Sequence, residues 1–154
     1  MAIGTNAGAW FYGTQTAVSS SQTTVADNAY QACGVDFTNT ANAPFASAVM
    51  EIAFDTTAPT VGNVLLFAML HNVQSTNDMD AVGATNQNVL CGAFPIIASK
   101  TIDTLYYTVI PHFELPAAGD GQVIRFYILN NATGQTIQTG WQLWITQKTM
   151  GPTA

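Results

Sequence analysis

Between residues 46 and 148, apolar and polar positions come in short runs, each closed by Gly, Pro, Asn or Asp. In Val49-Met50-Glu51-Ile52-Ala53-Phe54-Asp55, the side chains of Met50, Ile52 and Phe54 fall on one face and those of Glu51 and Asp55 on the other. That period of two is the signature of a half-buried strand. The same pattern, together with turn residues at the ends, predicts strands at 48–55, 63–71, 89–98, 104–113, 122–130 and 140–148. β-Branched and aromatic residues fill these runs, as a pleated surface favours. No window repeats its apolar positions every 3.6 residues between helix caps. The expected fold is all-β: an antiparallel β-sandwich, jelly-roll-like, over residues 47–154.

Residues 1–46 differ in kind. They are rich in Ala, Thr, Ser, Gly and Asn, and only Asp27 and Asp36 carry charge. Short strands at 14–19 and 34–38 are compatible with them, and 19–24 reads as a polar turn or linker. The segment is expected to be an extended N-terminal arm laid over other protein, so that it contributes to assembly.

Two runs break the alternation. In 64–70 both faces are apolar, and 123–129 is the same apart from Arg125. A two-sheet sandwich covers only the inner faces of its strands. The outer faces of these two must be covered by the arm folding back or by a neighbouring subunit. If by a neighbour, a closed homo-oligomer is the usual solution.

Charge sharpens this picture. The chain is 48% apolar but has only three basic and nine acidic residues, a net charge of -6. An average domain is about a quarter charged, and interface centres are depleted in charge in the same way. Lys100, Arg125 and Lys148 are too few to bind phosphates, so nucleic acid is not an expected partner, and neither is an anionic membrane. No apolar run approaches the ~20 residues needed to span a bilayer. The start, Met1-Ala2-Ile3-Gly4-Thr5-Asn6, lacks a basic, then hydrophobic, leader, so synthesis in a cytoplasm is expected. There Cys33 and Cys91 read as buried, reduced thiols.

Candidate chemistry is sparse. His71 and His112 each sit near the end of an apolar strand without HxH, HxxxH or CxxC spacing, and read as structural. Glu51 and Glu114 have nothing that pairs them as acid and base. Asp78-Met79-Asp80, after Asn77, supplies hard oxygen ligands but lacks a calcium-loop spacing and reads as a solvated loop tip. It lies in the long polar stretch 72–88, a length uncommon in loops without a purpose. Gly119-Asp120-Gly121 and 130–135 read as tight turns. The latter contains the glycosylation sequon Asn131-Ala132-Thr133, which the turn explains better. Trp141 and Trp144, three apart in a strand, face opposite sides, one to the core and one outward. An outward Trp is what a sugar-stacking site would use. No nucleophile elbow, P-loop or dinucleotide motif occurs. The expectation is no enzyme, no cofactor, no metal, and no catalytic or cofactor-binding residues.

The stretch Pro111-His112-Phe113-Glu114-Leu115-Pro116, through Gly119-Asp120-Gly121, to Arg125-Phe126-Tyr127-Ile128-Leu129-Asn130-Asn131 resembles small tailed-bacteriophage capsid decoration (cement) proteins of β-sandwich type. The resemblance is one of style over about a seventh of the chain and carries no site residues across. It implies a virion structural protein on the outer capsid surface, bound to the major capsid protein and commonly a homotrimer. A lectin-like or receptor-binding module, and a tail, baseplate or shell component, are the alternatives.

Overall fold

The computed structural model describes residues 8–20, 22–39, 42–55, 57–71, 81–86, 89–96, 104–116 and 123–152. They form eight strands: β1 (Gly8–Ala17), β2 (Tyr30–Ala32), β3 (Phe45–Ile52), β4 (Asn63–His71), β5 (Val89–Phe94), β6 (Tyr106–Glu114), β7 (Val123–Asn131) and β8 (Gln142–Pro152). All pairs are antiparallel, in two four-stranded sheets ordered β1-β8-β3-β6 and β2-β7-β4-β5. The pairs β1–β8, β2–β7, β3–β6 and β4–β5 nest inside one another, as if one long hairpin had been rolled up. Every connection except β4–β5 therefore crosses from sheet to sheet, the jelly-roll form of a β-sandwich.

The inner faces make one core. β3 alternates half-buried and buried along its whole length, burying Ala46, Ala48, Met50 and Ile52. Leu143 and Ile145 of β8, Ile110 and Phe113 of β6, and Ile124, Phe126 and Ile128 of β7 meet them. Phe126 is central, edge-on to both Phe37 (5.9 Å) and Phe113 (6.3 Å). Each such side chain contributes roughly 1.5–3 kcal/mol by leaving water.

The N-terminal residues join the sandwich. β1 is an edge strand paired with β8 from Gly8↔Pro152 to Ala17↔Trp144, with a bulge between Tyr12 and Gln15. It runs earlier than the 14–19 expected, because Trp10-Phe11-Tyr12 do not alternate in polarity. β2 has three residues and no period to read. The stretch 34–38 is not a strand; it is held to β7 by the bridge Phe37↔Ile124 and by the Asp36–Arg125 ion pair, and bridges Ser19 at Gly34. β3 begins at Phe45, earlier than expected, and ends at Ile52. Phe54 turns away to bridge Ile137. β5 ends at Phe94, short of the expected 98. The turn at Gly119-Asp120-Gly121 lies outside the described residues.

The second sheet's outer face is covered from within the chain. Phe67, Met69, Tyr127 and Leu129 form a second buried cluster with Val82, from the β4–β5 connection. Tyr30 and Ala32 of β2 pack against it, the Tyr30 ring 5.9 Å from that of Phe67. The doubly apolar runs 64–70 and 123–129 thus have their cover without a neighbour. Arg125, the polar break in β7, binds Asp36.

The turn after β7 is a polar lock. Asn130, fully buried, donates through Nδ2 to the carbonyls of Val25 (3.0 Å) and Gln135 (2.7 Å) and accepts from the Thr133 hydroxyl (2.7 Å). Ala132 (φ 52°) and Gly134 (φ 68°) turn the chain, and Asp27 accepts from the Gly134 N–H at 3.0 Å. Asn131 donates to Asn63 Oδ1 at 3.0 Å, which accounts for the sequon residues as turn chemistry.

Candidate interaction surface

Among the described residues no segment packs over the outer face of the first sheet as Val82 and β2 do over the second. Strand pairing sets side chains there in lateral rows. Gln142, Glu51 and Tyr107 make one row, and Ala17, Trp144, Val49 and Val109 the next. Further along come Gln15, Thr146 and Ser47, then Tyr12, Lys148, Phe45 and Glu114, and last Trp10 beside Met150. Tyr107 is 61% exposed, Tyr12 64% and Met150 65%, with Trp10, Leu105 and Val109 also open. Large apolar side chains collected on one uncovered face mark an interaction site more often than chance exposure.

The face has two centres. At one end His112 packs between Trp10 (ring centroids 5.3 Å apart) and Phe45 (4.7 Å), and Trp10 meets Phe45 edge-on at 5.6 Å. Beneath this cluster Lys148 is only 8% exposed. Its ammonium donates to the Pro111 carbonyl and lies 5.4 Å from the Tyr12 ring centroid. No described carboxylate pairs with it. Its partners are a dipole and a π-face, which hold a cation less firmly than an acid does. A shallow depression of ≈ 160 Å³ at the β1 bulge, lined by Phe11, Tyr12, Gly13, Gln147 and Thr149, is smaller than pockets that enclose a drug-sized ligand.

At the other end Trp144 and Tyr107 tilt toward each other across β3, ring centroids 6.5 Å apart at 41°. Glu51 is the direct cross-strand neighbour of Tyr107, and its carboxylate holds the phenol above its ordinary pKa. From Phe45 to Glu51 along β3 is about 20 Å at the rise of an extended strand, so the two centres are distinct.

The residues singled out in sequence are scattered over the fold. Trp141 is core, its indole donating to the Thr23 carbonyl at 3.1 Å, and Trp144 is the outward one. Glu51 and Glu114 stand at opposite ends of the β3–β6 ladder, opposite Tyr107 and Phe45 respectively, and do not meet. His112 belongs to the aromatic cluster, and His71 is the last residue of β4, opposite Val123. Cys33 and Cys91 are free thiols; burial pushes the Cys91 thiol up to about 12 and raises Cys33 further. Asp78, Asp80 and Lys100 lie outside the described residues. Among the described residues no three His, Cys, Asp or Glu side chains are grouped to hold a metal ion. Trp10, Tyr12 and Phe45 did not stand out in sequence. The signal for the first two was three successive aromatics, Trp10-Phe11-Tyr12, in an otherwise small and polar segment.

Comparison of the chain with protein-family models, curated proteins and solved structures gives no match.

Proposed function

We propose that the chain is a virion structural protein, a capsid decoration or cement protein that seats the Trp10 end of its first sheet on the major capsid protein. The observation that carries the reading is the uncovered cluster of Trp10, Tyr12, Phe45, His112 and Met150 on a charge-poor jelly roll. Aromatic residues and Met are the types that anchor protein interfaces. A carboxylate on the capsid protein would also give Lys148 the acid it lacks among the described residues. Jelly rolls are a common architecture of virus capsid proteins, which agrees with the role without deciding it.

In this reading the chain acts by protein–protein contact, needs no cofactor, and stays on the virion surface. The homotrimer implied by the resemblance is part of the proposal. It rests on the resemblance alone, since the second sheet, whose apolar outer face was its physical motive, is covered in cis.

The test is re-addition of purified chain to particles that lack it. Saturable binding is expected, weakened at least about ten-fold by Trp10→Ser together with Met150→Ser, as loss of interface anchors does. Unchanged binding by that variant would remove the seat from the account.

A further inference from the structure

We propose that the Tyr107–Trp144 end of the first sheet is a carbohydrate platform that takes a neutral, polyhydroxylated sugar ring. This goes beyond the decoration role, concerns the other end of the face, and stands if that role fails.

A sugar ring has apolar C–H faces and a rim of hydroxyls, each both donor and acceptor. The platform offers both kinds of partner. Tyr107 and Trp144 set two rings 6.5 Å apart and tilted by 41°, with Val49 and Val109 in the same row as Trp144. The Glu51 carboxylate stands directly cross-strand from Tyr107, at the edge of the ring pair. An ionised carboxylate has about four lone-pair sites, so Glu51 keeps acceptor capacity beyond Tyr107. Gln142, exposed and directly cross-strand from Glu51, has an amide that bonds no other described group. The Trp144 indole N–H is likewise unengaged among the described residues. Stacking faces, acceptors and donors therefore converge on an area the size of one ring.

The charge pattern selects the ligand class. A dry protein interface over this end would have to bring its own counter-charge for the Glu51 carboxylate, since burying it unpaired is costly. Sugar hydroxyls donate to it instead. Lys148 is on the row of Phe45, about 20 Å away along the strands, so no described cation serves this end. Acidic sugars are disfavoured by Glu51 and by the net charge of -6.

The experiment is an NMR titration of the intact chain, following the indole N–H signals of its three tryptophans. The probes are maltotriose, lactose and N-acetylchitotriose as neutral sugars, and sialyllactose as the acidic one. The Trp144 signal is assigned by its loss in Trp144→Phe. At least one neutral sugar is expected to shift it saturably, with sialyllactose weaker. Affinity is expected to fall ten-fold or more in Tyr107→Ala and in Glu51→Gln. The buried Trp141 signal, unchanged, reports that each variant keeps its fold. The proposal is overturned if no neutral sugar gives a saturable Trp144 shift, if the Trp10 signal moves instead, or if both variants bind as the parent does.

Discussion

The Arg125 guanidinium grips the Asp36 carboxylate through two N–H···O bonds, Nε to Oδ1 at 2.7 Å and Nη2 to Oδ2 at 3.0 Å, between residues 89 apart in the chain. The pair ties the segment before β3 to the middle of β7. Backbone bonds of Cys33 to Phe126 and of Phe37 to Ile124 hold the same segment on either side. Both side chains are 29% exposed, so water screens the attraction. Asp36→Asn is therefore expected to cost about 1 kcal/mol in denaturant unfolding, with the fold retained. A loss several times larger would mean that this pair, and not the backbone strap, holds the segment.

A larger loss is expected at Asn130. Its amide is buried, and replacing it with Ala removes its bonds to the carbonyls of Val25 and Gln135 and to the Thr133 hydroxyl at once, leaving Val25 with the Ile137 N–H alone and Thr133 with Gln135. Asn130→Ala should cost about 2–4 kcal/mol, and Thr133→Val less, about 1 kcal/mol. The two changes share one bond, so the double variant should lose less than the sum of the singles. Strict additivity in the same unfolding assay would contradict the network.

Much of the fold was legible because it is local. Met50, Ile52 and Phe54 alternate with Glu51 and Asp55, and that alone places β3 within three residues. Trp141 and Trp144 were separable into core and surface because three positions in a strand reverse the side-chain direction. What escaped is non-local. Arg125 was visible as a break in an apolar run, but nothing near it in sequence names Asp36. The apolar outer face of β4 and β7 was visible too, whereas its cover by Val82 and Tyr30 is set by how the connections wrap. The aromatic seat was hidden for a different reason. Trp10, Phe11 and Tyr12 are consecutive, so alternation could not assign their faces, and β1 gains its register only by pairing with β8.

The thiols give a test in pH. Burial raises the Cys91 pKa from 9.0 to about 12, and that of Cys33 further, so the folded chain keeps protons that the unfolded chain releases. Stability from this source is complete below pH 9 and is lost as pH rises toward 12. Unfolding free energy should decline over that window, less steeply in Cys91→Ala. At pH 8 a thiol reagent should leave the buried Cys33 unlabelled until the chain unfolds and react only slowly with the half-buried Cys91. Rapid labelling of Cys33 in the native chain would contradict its burial.

Attachment should depend little on salt. The seat is built from aromatic and Met side chains, and its one cation, Lys148, is buried, where screening is weak. Affinity for the particle should fall less than about ten-fold between low and high ionic strength. A steeper dependence would place exposed ion pairs, and not apolar contact, at the centre of binding.

The first sheet's outer face also limits how the N-terminal segment can be probed. Deleting residues 2–20 removes β1 and the fully buried Val18, so such a chain loses an edge strand as well as the seat. The most direct measurement of the central claim leaves the chain intact: a cryo-EM map of the particle that carries it. The expected map places the jelly roll on the capsid exterior, with Trp10, Tyr12 and Met150 against the capsid protein and the second sheet turned away. Density that seats the chain through the second sheet, or a particle without the chain, would contradict the account.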